Sequence, residues 1–180
     1  MNRLGIAFSG GPTASEIVDC VRLAENLGYE SAWIAEGHGG DQFSILSGCA
    51  AATSRIKLGT AISSIFVRSA PTLAMAAATV DELSEGRLIL GLGSSHKVQV
   101  VPEHGIEYNK PILRLTETVK IIKELLQTGS VEFDGETIKI ERFDLWFKPR
   151  RPKIPIYLSL IHISEPTRRT PISYAVFCLK

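Results

Sequence analysis

Two histidines of this chain follow short apolar segments, at places where a ligand could be bound. His38 lies in the polar, glycine-rich segment 35–41, and His96 follows the small residues of 93–95. A histidine can donate or accept a proton near neutral pH, so either side chain could serve in general acid–base chemistry. The glycine and two serines of 93–95 leave room for a ligand close to the backbone. The alternative interpretation, that both histidines are solvated loop residues, stays open at this point.

The other reactive side chains indicate less. Arg68 could bind a phosphate or a carboxylate, or it could form a surface ion pair. Cys20, Cys49 and Cys178 are far apart, and the cysteines and histidines show no metal-ligand spacing. We therefore predict no metal site, and we predict free thiols of the kind usual in the cytoplasm.

The composition limits the classes of partner. The 180 residues are 44% hydrophobic and 22% charged, with a formal net charge of +1, which is typical of a globular protein. The absence of a basic block argues against nucleic acid as the partner. No apolar segment approaches the roughly 20 residues of a membrane span. The first residues resemble the start of a strand rather than a signal peptide, so we expect a cytoplasmic protein that acts on a small molecule.

Short apolar segments alternate with helical patterns along the chain. Strands are predicted at 4–8, 31–34, 56–62 and 88–92, and residues 154–157 are predicted to start a fifth strand. Helices are predicted to begin after the capping or breaking residues Thr13, Asp41, Pro71 and Lys110. A polar loop is predicted at 96–109, and a hairpin with a type I′ turn at Asp134–Gly135 is predicted within 131–138.

This alternation predicts an α/β fold with a parallel sheet. Two architectures fit the order of the elements: a doubly wound sheet that is complete as it stands, or a (β/α)8 barrel. A barrel takes about 250 residues, so in that case about half of it is present.

The order and spacing of several motifs resemble the luciferase-like monooxygenase family of flavin-dependent oxidoreductases. They are Leu58–Ile62, the loop 68–71, the helix 76–83, the sequence Gly-Arg-Leu-Ile-Leu-Gly-Leu-Gly at 86–93, and the segments 134–136 and 154–157. The resemblance covers residues 1–157 and is nearest to the deazaflavin-dependent methylenetetrahydromethanopterin reductase branch. It implies the N-terminal part of a TIM barrel, truncated after the start of strand 5, with FMN or the deazaflavin coenzyme F420 at the C-terminal strand ends. It also implies hydride transfer or monooxygenation on a small organic substrate, a homo-oligomeric full-length protein, and no activity in this fragment.

The resemblance also implies a set of site residues. Those that would contact the cofactor are Ser9, Glu36, Ala61, Ile62, Ser63, Ser64, Gly93, Ser94 and Ser95. In the family, the third strand ends in a bulge with a non-prolyl cis peptide, which corresponds here to Ala61–Ile62.

Two departures from the family concern the histidines. Several deazaflavin members have an acid followed directly by a histidine, whereas here Glu36 is followed by Gly37, and His38 comes next. His96 stands where some members have a catalytic glutamate. His38 and His96 are therefore the candidate catalytic residues. The alternatives are a non-catalytic barrel subunit and a complete flavodoxin-like binding domain.

The C-terminal segment 158–180 departs from the family pattern in mid-strand. Its parts 158–168 and 172–179 resemble a translated transposase-type sequencing adapter, with 169–171 in the place of an index. We therefore expect a native partial barrel at 1–157 and a non-native tail at 158–180. The alternative is a genuine but divergent tail.

Overall fold

The computed structural model describes residues 4–159, in which a layer of helices covers one face of a parallel sheet. The strands in this range are β1 (Gly5–Phe8), β2 (Ser31–Ile34), β3 (Lys57–Thr60), β4 (Ser63–Ser64), β5 (Leu88–Gly93), β6 (Ser130–Asp134), β7 (Lys139–Asp144) and β8 (Ile156–Ser159). The helices in the same range are α1 (Ala14–Asn26), α2 (Gln42–Ala52), α3 (Ala70–Leu83), α4 (Lys97–His104) and α5 (Pro111–Thr128). The alternating order that the sequence predicts is confirmed.

The local signals that start the helices are those of the sequence. Thr13 and Glu16 form the capping box of α1, in which each side chain bonds a backbone N–H at the helix start. Asp41 caps α2 through the N–H of Ser44, at 2.8 Å. Pro71 lies in the first turn of α3, where no N–H donor is needed.

The order of the strands contradicts one of the two architectures. All pairings in the main sheet are parallel, and they join β1 to β2, β2 to β3, β3 to β5 and β5 to β8. The helices form one layer in the same order, since α1 packs on α2, α2 on α3 and α3 on α5. A flavodoxin-like sheet has the order 2-1-3-4-5 with helices on both faces, so the flavodoxin-like alternative is wrong. Sequential parallel strands under one helix layer are what a segment of a (β/α)8 barrel contains.

The sheet face turned away from the helices carries glycines and aromatic rings. The leucines of β5 are fully buried against the helix layer, so the alternating Gly91 and Gly93 point the other way. On this inner face, the Trp33 indole covers Gly59, where an added Cβ would lie 2.3 Å from a ring carbon. Trp33 also stacks with Tyr157, with 6.0 Å between the ring centroids. The aromatic rings of Trp33 and Tyr157 thus cover the inner face around Gly59.

The loop predicted at 96–109 is wrong for residues 97–104, which form α4. Only Val100 of this helix is buried, at 1% exposure. The periodic apolar pattern from which a helix is predicted is therefore nearly absent. Pro102 lies inside the helix and also argues against a helix in the sequence, because proline usually breaks one. The helix ends at Gly105, whose φ is +65°.

The hairpin is present, but the predicted type I′ turn is wrong. β6 ends at Asp134 and β7 begins at Lys139, and Gly135 does not have a positive φ. The turn is shaped by the buried carboxylate of Glu117, which accepts hydrogen bonds from the backbone N–H groups of 136–138. An added Cβ on Gly135 would lie 2.6 Å from Glu117 Oε1. Glycine is therefore required by this close approach and not by its φ angle.

The far end of the described chain bears on the domain boundary. β8 pairs with β5 through Leu158 and Ser159, two residues past the expected boundary at 157. The remainder of the expected tail, 160–180, lies outside the described residues. No helix within 4–159 is long and apolar enough to cross a membrane.

Candidate functional site

β3 and β4 are two parts of one strand that is interrupted by a bulge. Four residue steps separate Gly59 from Ser63, whereas three steps separate their partners Ile89 and Leu92 on β5. The extra residue falls in the pair Ala61–Ile62, so the predicted bulge is confirmed. It lies where the parallel strands end, which we call the C-terminal edge of the sheet.

Ile62 makes the bulge by adopting a left-handed backbone conformation, with a φ of +74°. The predicted cis peptide is wrong, since no peptide bond between residues 4 and 159 is cis. The left-handed φ turns the chain instead. Such a conformation costs a β-branched residue roughly 1–3 kcal/mol and persists only where the surroundings fix it.

The Ile62 side chain lies over Gly93 on the inner face. A Cβ added to Gly93 would lie 3.3 Å from both Cβ and Cδ1 of Ile62. Because Gly93 has no side chain, the isoleucine packs close to the backbone of β5. The two residues form a low apolar surface at the C-terminal edge.

A fully buried glutamine, Gln42, joins the bulge to the rest of the fold. Its Nε2 donates to the carbonyl oxygens of Ile34 at 2.6 Å and of Ile62 at 3.0 Å. Its Oε1 accepts the hydroxyl of Ser63. One side chain at the start of α2 thus holds the end of β2, the strained residue of the bulge and the serine that follows it.

A second set of contacts fixes the residues after the bulge. Glu36, which follows β2, accepts the backbone N–H of Ser64 at 2.7 Å and the Nε–H of Arg68. Arg68 also donates to Asp41 Oδ2 at 2.5 Å, and its guanidinium lies over the Phe43 ring. Of the possibilities left open for Arg68, the structure therefore shows an ion pair with carboxylates of its own chain.

These contacts favour the charged forms of Arg68 and Asp41. Burial raises the pKa of Asp41, but hydrogen bonds from Arg68 and Ser44 outweigh burial and bring the pKa to about 2. Burial lowers the pKa of Arg68, but its bonds to Asp41 and Glu36 outweigh burial and hold it above its ordinary value. Both side chains are therefore charged at neutral pH.

The remaining predicted cofactor residues lie at the same edge in different settings. Ser64 Oγ accepts the N–H groups of Phe66 and Val67, so it closes the loop after the bulge. Ser94 is buried, whereas Ser95 has a φ of +56°. Ser9 is exposed and follows β1 at this edge. Their role in cofactor binding stays a prediction.

The structure places the two candidate catalytic histidines near opposite ends of α4. His96 directly precedes this helix, while His38 contacts Glu103 near its end, with 3.0 Å between Nε2 and Oε2. Glu103 lies seven residues after His96, which is roughly 10 Å along a helix. The His38 side chain is 80% exposed. The predicted catalytic role of either histidine stays a prediction.

Gln42 is the residue that sequence reasoning missed. It follows the capping Asp41 and precedes apolar residues, so it looks like an ordinary first-turn position. The signal that could have found it is its helical phase, because Ile45 and Leu46, three and four residues later, lie on the buried face. A glutamine on that face must find hydrogen-bond partners inside the protein.

The C-terminal edge fits the flat ring of a flavin or deazaflavin. Gly93 has no side chain, and an added Cβ there would lie against the Ile62 side chain, so the surface formed by these two residues stays low and apolar. Ligand pockets are mostly apolar with a few placed polar groups, as this surface is. Arg68, the cation that could have met a cofactor phosphate, is already bound by two carboxylates. Arg68 is therefore not available to a cofactor phosphate.

Comparison with known proteins agrees with this geometry. The family model for luciferase-like monooxygenases matches residues 2–160. The chain belongs to this family. The family resemblance deduced from the sequence is confirmed, and the match runs past residue 157.

Two reductases illustrate the similarity. The 5,10-methylenetetrahydromethanopterin reductase of Archaeoglobus fulgidus is 35% identical over 157 residues, which are 87% of this chain and 46% of that protein. The coenzyme F420-dependent tetrahydromethanopterin reductase of Methanopyrus kandleri superposes with a TM-score of 0.77 at 27% identity, over 87% of this chain and 49% of that one.

A more distant structure shares the fold alone. It is the oxygenating constituent of 3,6-diketocamphane monooxygenase from Pseudomonas putida in complex with FMN, with a TM-score of 0.76 at 16% identity, over 88% of this chain and 52% of that one. The chain spans about half the length of the relatives it matches.

Proposed function

We propose that the full-length protein containing this segment is an oxidoreductase of the luciferase-like class that binds F420 or FMN at the C-terminal edge. The observation that carries the proposal is the bulge, where a strained Ile62 is held against Gly93 at the C-terminal edge. The names of the relatives from Archaeoglobus and Methanopyrus favour F420 and hydride transfer. FMN in the Pseudomonas structure keeps monooxygenation as the second possibility.

The chain's own residues would bind and shield the cofactor. A bound F420 or reduced FMN supplies the hydride or the oxygen chemistry, and the protein supplies orientation and exclusion of water. Ile62 and Gly93 would support one face of the ring, and the backbone around Ser63, Ser64 and Ser94 would border its edge. His38 and His96, on either end of α4, are the proposed proton-transfer residues. The closed barrel and the groups that hold the cofactor phosphate would come from the part of the full-length protein that follows this native segment.

Cofactor titration tests the proposal. Purified full-length protein is titrated with F420 and, separately, with FMN, while the fluorescence of the ring is followed. We expect saturable binding of one of the two with one cofactor per chain. A folded protein that binds neither would overturn the proposal.

Oxygen consumption separates the two chemistries. A hydride-transfer enzyme oxidises reduced F420 in the presence of its organic substrate without taking up oxygen. A monooxygenase consumes oxygen when it holds reduced FMN. An oxygen electrode beside an F420 absorbance assay therefore distinguishes them.

A non-catalytic barrel subunit is the second candidate, and two contacts favour it. His38 is paired with Glu103, and both carboxylate oxygens of Glu36 accept bonds from the protein itself. Neither residue is presented to a ligand as the acid–histidine pair of the deazaflavin members would be. Undetectable cofactor binding by a well-folded full-length protein would support this candidate.

We further propose that the native segment ends near residue 157 and that 158–180 is a translated sequencing adapter. The full-length protein would be a cytoplasmic homo-oligomer that acts on a small organic molecule. Resequencing the locus tests the boundary: a genomic read that continues through codon 158 into the same tail would contradict it.

A further inference from the structure

The first turn of α2 is attached to the bulge by two adjacent side chains. Asp41 binds Arg68, and Arg68 binds Glu36. Glu36 in turn accepts the backbone N–H of Ser64. Gln42 binds the carbonyl of Ile62 and the hydroxyl of Ser63. The bulge is thus tied to α2 at its strained residue and at the two residues that follow it.

The two attachments differ in exposure. The Asp41 side chain is 46% exposed, so water can replace part of what it contributes. Gln42 is fully buried, and its amide is shared between the Ile34 carbonyl, the Ile62 carbonyl and the Ser63 hydroxyl. No water is needed to satisfy these groups, and a buried carbonyl that loses its donor is strongly disfavoured.

We propose that Gln42 is a positioning residue for the cofactor ring, which it holds in place indirectly by fixing the left-handed Ile62 over Gly93. The inference rests on the proposed function. Ile62 adopts a conformation that it would leave if its carbonyl were free to turn, because nothing intrinsic to isoleucine favours a φ of +74°. Turning that peptide would lift the side chain off Gly93 and remove the surface that faces the ring.

The test compares Q42M with a matched control, T118V, in the full-length protein. Methionine keeps the volume and length of the side chain but can neither donate to Ile62 nor accept from Ser63. Thr118 is also buried, and its Oγ1 has no hydrogen-bond partner among the described residues, so T118V removes a buried polar atom without breaking a contact. It lies on α5, outside the proposed site.

For Q42M we expect about tenfold weaker binding of F420 or FMN, the fold-change that loss of one buried hydrogen bond typically gives. We also expect the absorption and fluorescence of the bound ring to shift toward their values in water. T118V should bind as the wild type does, with an unshifted spectrum. A purely structural role for Gln42 would lower the melting temperature and leave the affinity and spectrum of the folded fraction unchanged, which would overturn the proposal.

A second variant covers the case in which Q42M does not fold. S63A deletes only the hydroxyl that donates to Gln42, and we expect a smaller loss of affinity with the same direction of spectral shift. Unchanged binding and spectrum in S63A would then count against the proposal. If the wild-type protein binds neither cofactor, the proposed function fails. If it binds normally and the variants do too, only the role of Gln42 fails.

Discussion

Both ends of the parallel sheet are held by buried polar side chains, yet the two ends use them for different purposes. At the N-terminal edge, where the strands begin, Glu25 accepts the backbone N–H groups of Ser54, Arg55 and Ile56 at 3.1, 2.6 and 2.7 Å. Arg87 donates to carbonyl oxygens of the same segment and of the end of α2. No residue of 53–56 has a positive φ.

The C-terminal edge has a similar number of charged and amide side chains, but they hold a strained residue. Gln42, Glu36 and Arg68 fix a bulge whose Ile62 is left-handed. Gly93, which has no side chain, lies beside it on the inner face. Satisfied polar groups around the connection 53–56 favour a stabilising role, whereas a β-branched residue held in a strained conformation is typical of a functional site. This difference supports the proposal that the C-terminal edge binds the ligand and the N-terminal edge stabilises the fold.

The largest expected effect comes from adding a side chain at Gly91, where β5 closely approaches the backbone of β3. An alanine Cβ at Gly91 would lie 2.2 Å from the carbonyl oxygen of Thr60, a backbone atom that cannot move without breaking the β3–β5 pairing. We expect G91A to lower the free energy of unfolding by about 3 kcal/mol or more, measured by urea denaturation. The matched control is G37A: nothing lies within 4 Å of its added Cβ, so its effect should stay within about 0.5 kcal/mol. Equal stability of the two variants would contradict the close approach at Gly91.

E25A tests the N-terminal edge. Burial raises the pKa of Glu25, but the hydrogen bonds from Ile56, Arg55 and Ser54 outweigh burial and hold it below its ordinary value. Removing the carboxylate leaves these N–H groups without their acceptor and should lower the free energy of unfolding by about 3 kcal/mol. Cofactor affinity of the folded protein, measured by titration, should not change. A loss of affinity without a loss of stability would reverse the assignment of the two edges.

R68K tests the C-terminal edge with a smaller change. Lysine keeps the charge but lacks the planar guanidinium that contacts Glu36 and Asp41 together. The contacts that fix the residues after the bulge are therefore weakened. We expect about 1 kcal/mol less stability and about fivefold weaker cofactor binding. Both values come from denaturation and titration of the same preparation. R22K, in an exposed pair with Asp19, serves as the control and should alter neither quantity.

The smallest expected effect is a pH dependence of stability that comes from Asp41, which binds Arg68. The pKa of Asp41 is about 2 in the folded protein, below its value in the unfolded chain. A depressed pKa contributes stability that is fully present above the unfolded value and is lost as pH falls through the folded one, so the loss should run from about pH 5 to pH 2. D41N should therefore show a shallower fall of unfolding free energy across this window than the wild type. Identical slopes would show that Asp41 is not held in its charged form by Arg68.

The sequence predicted what depends on local and periodic signals. The alternation of apolar segments and capped helices identified the strands of the sheet, and the Thr13 capping box and the Asp41 cap were correct in detail. The bulge could be placed only through the family resemblance, and its backbone conformation was wrong because nothing local specifies a left-handed isoleucine. The Gly135 turn failed for a related reason, since the Glu117 carboxylate that shapes it comes from a distant helix. Gln42 was missed because its partners lie on two other segments of the chain.

Hydrogen–deuterium exchange of the full-length protein, with and without cofactor, tests the assignment of the two edges most directly. Saturating F420 or FMN should slow amide exchange in peptides that cover 61–68 and 93–96. Exchange in peptides that cover 53–57 and 84–88 should stay as it is without cofactor. Protection confined to the N-terminal edge, or equal protection at both edges, would contradict the account.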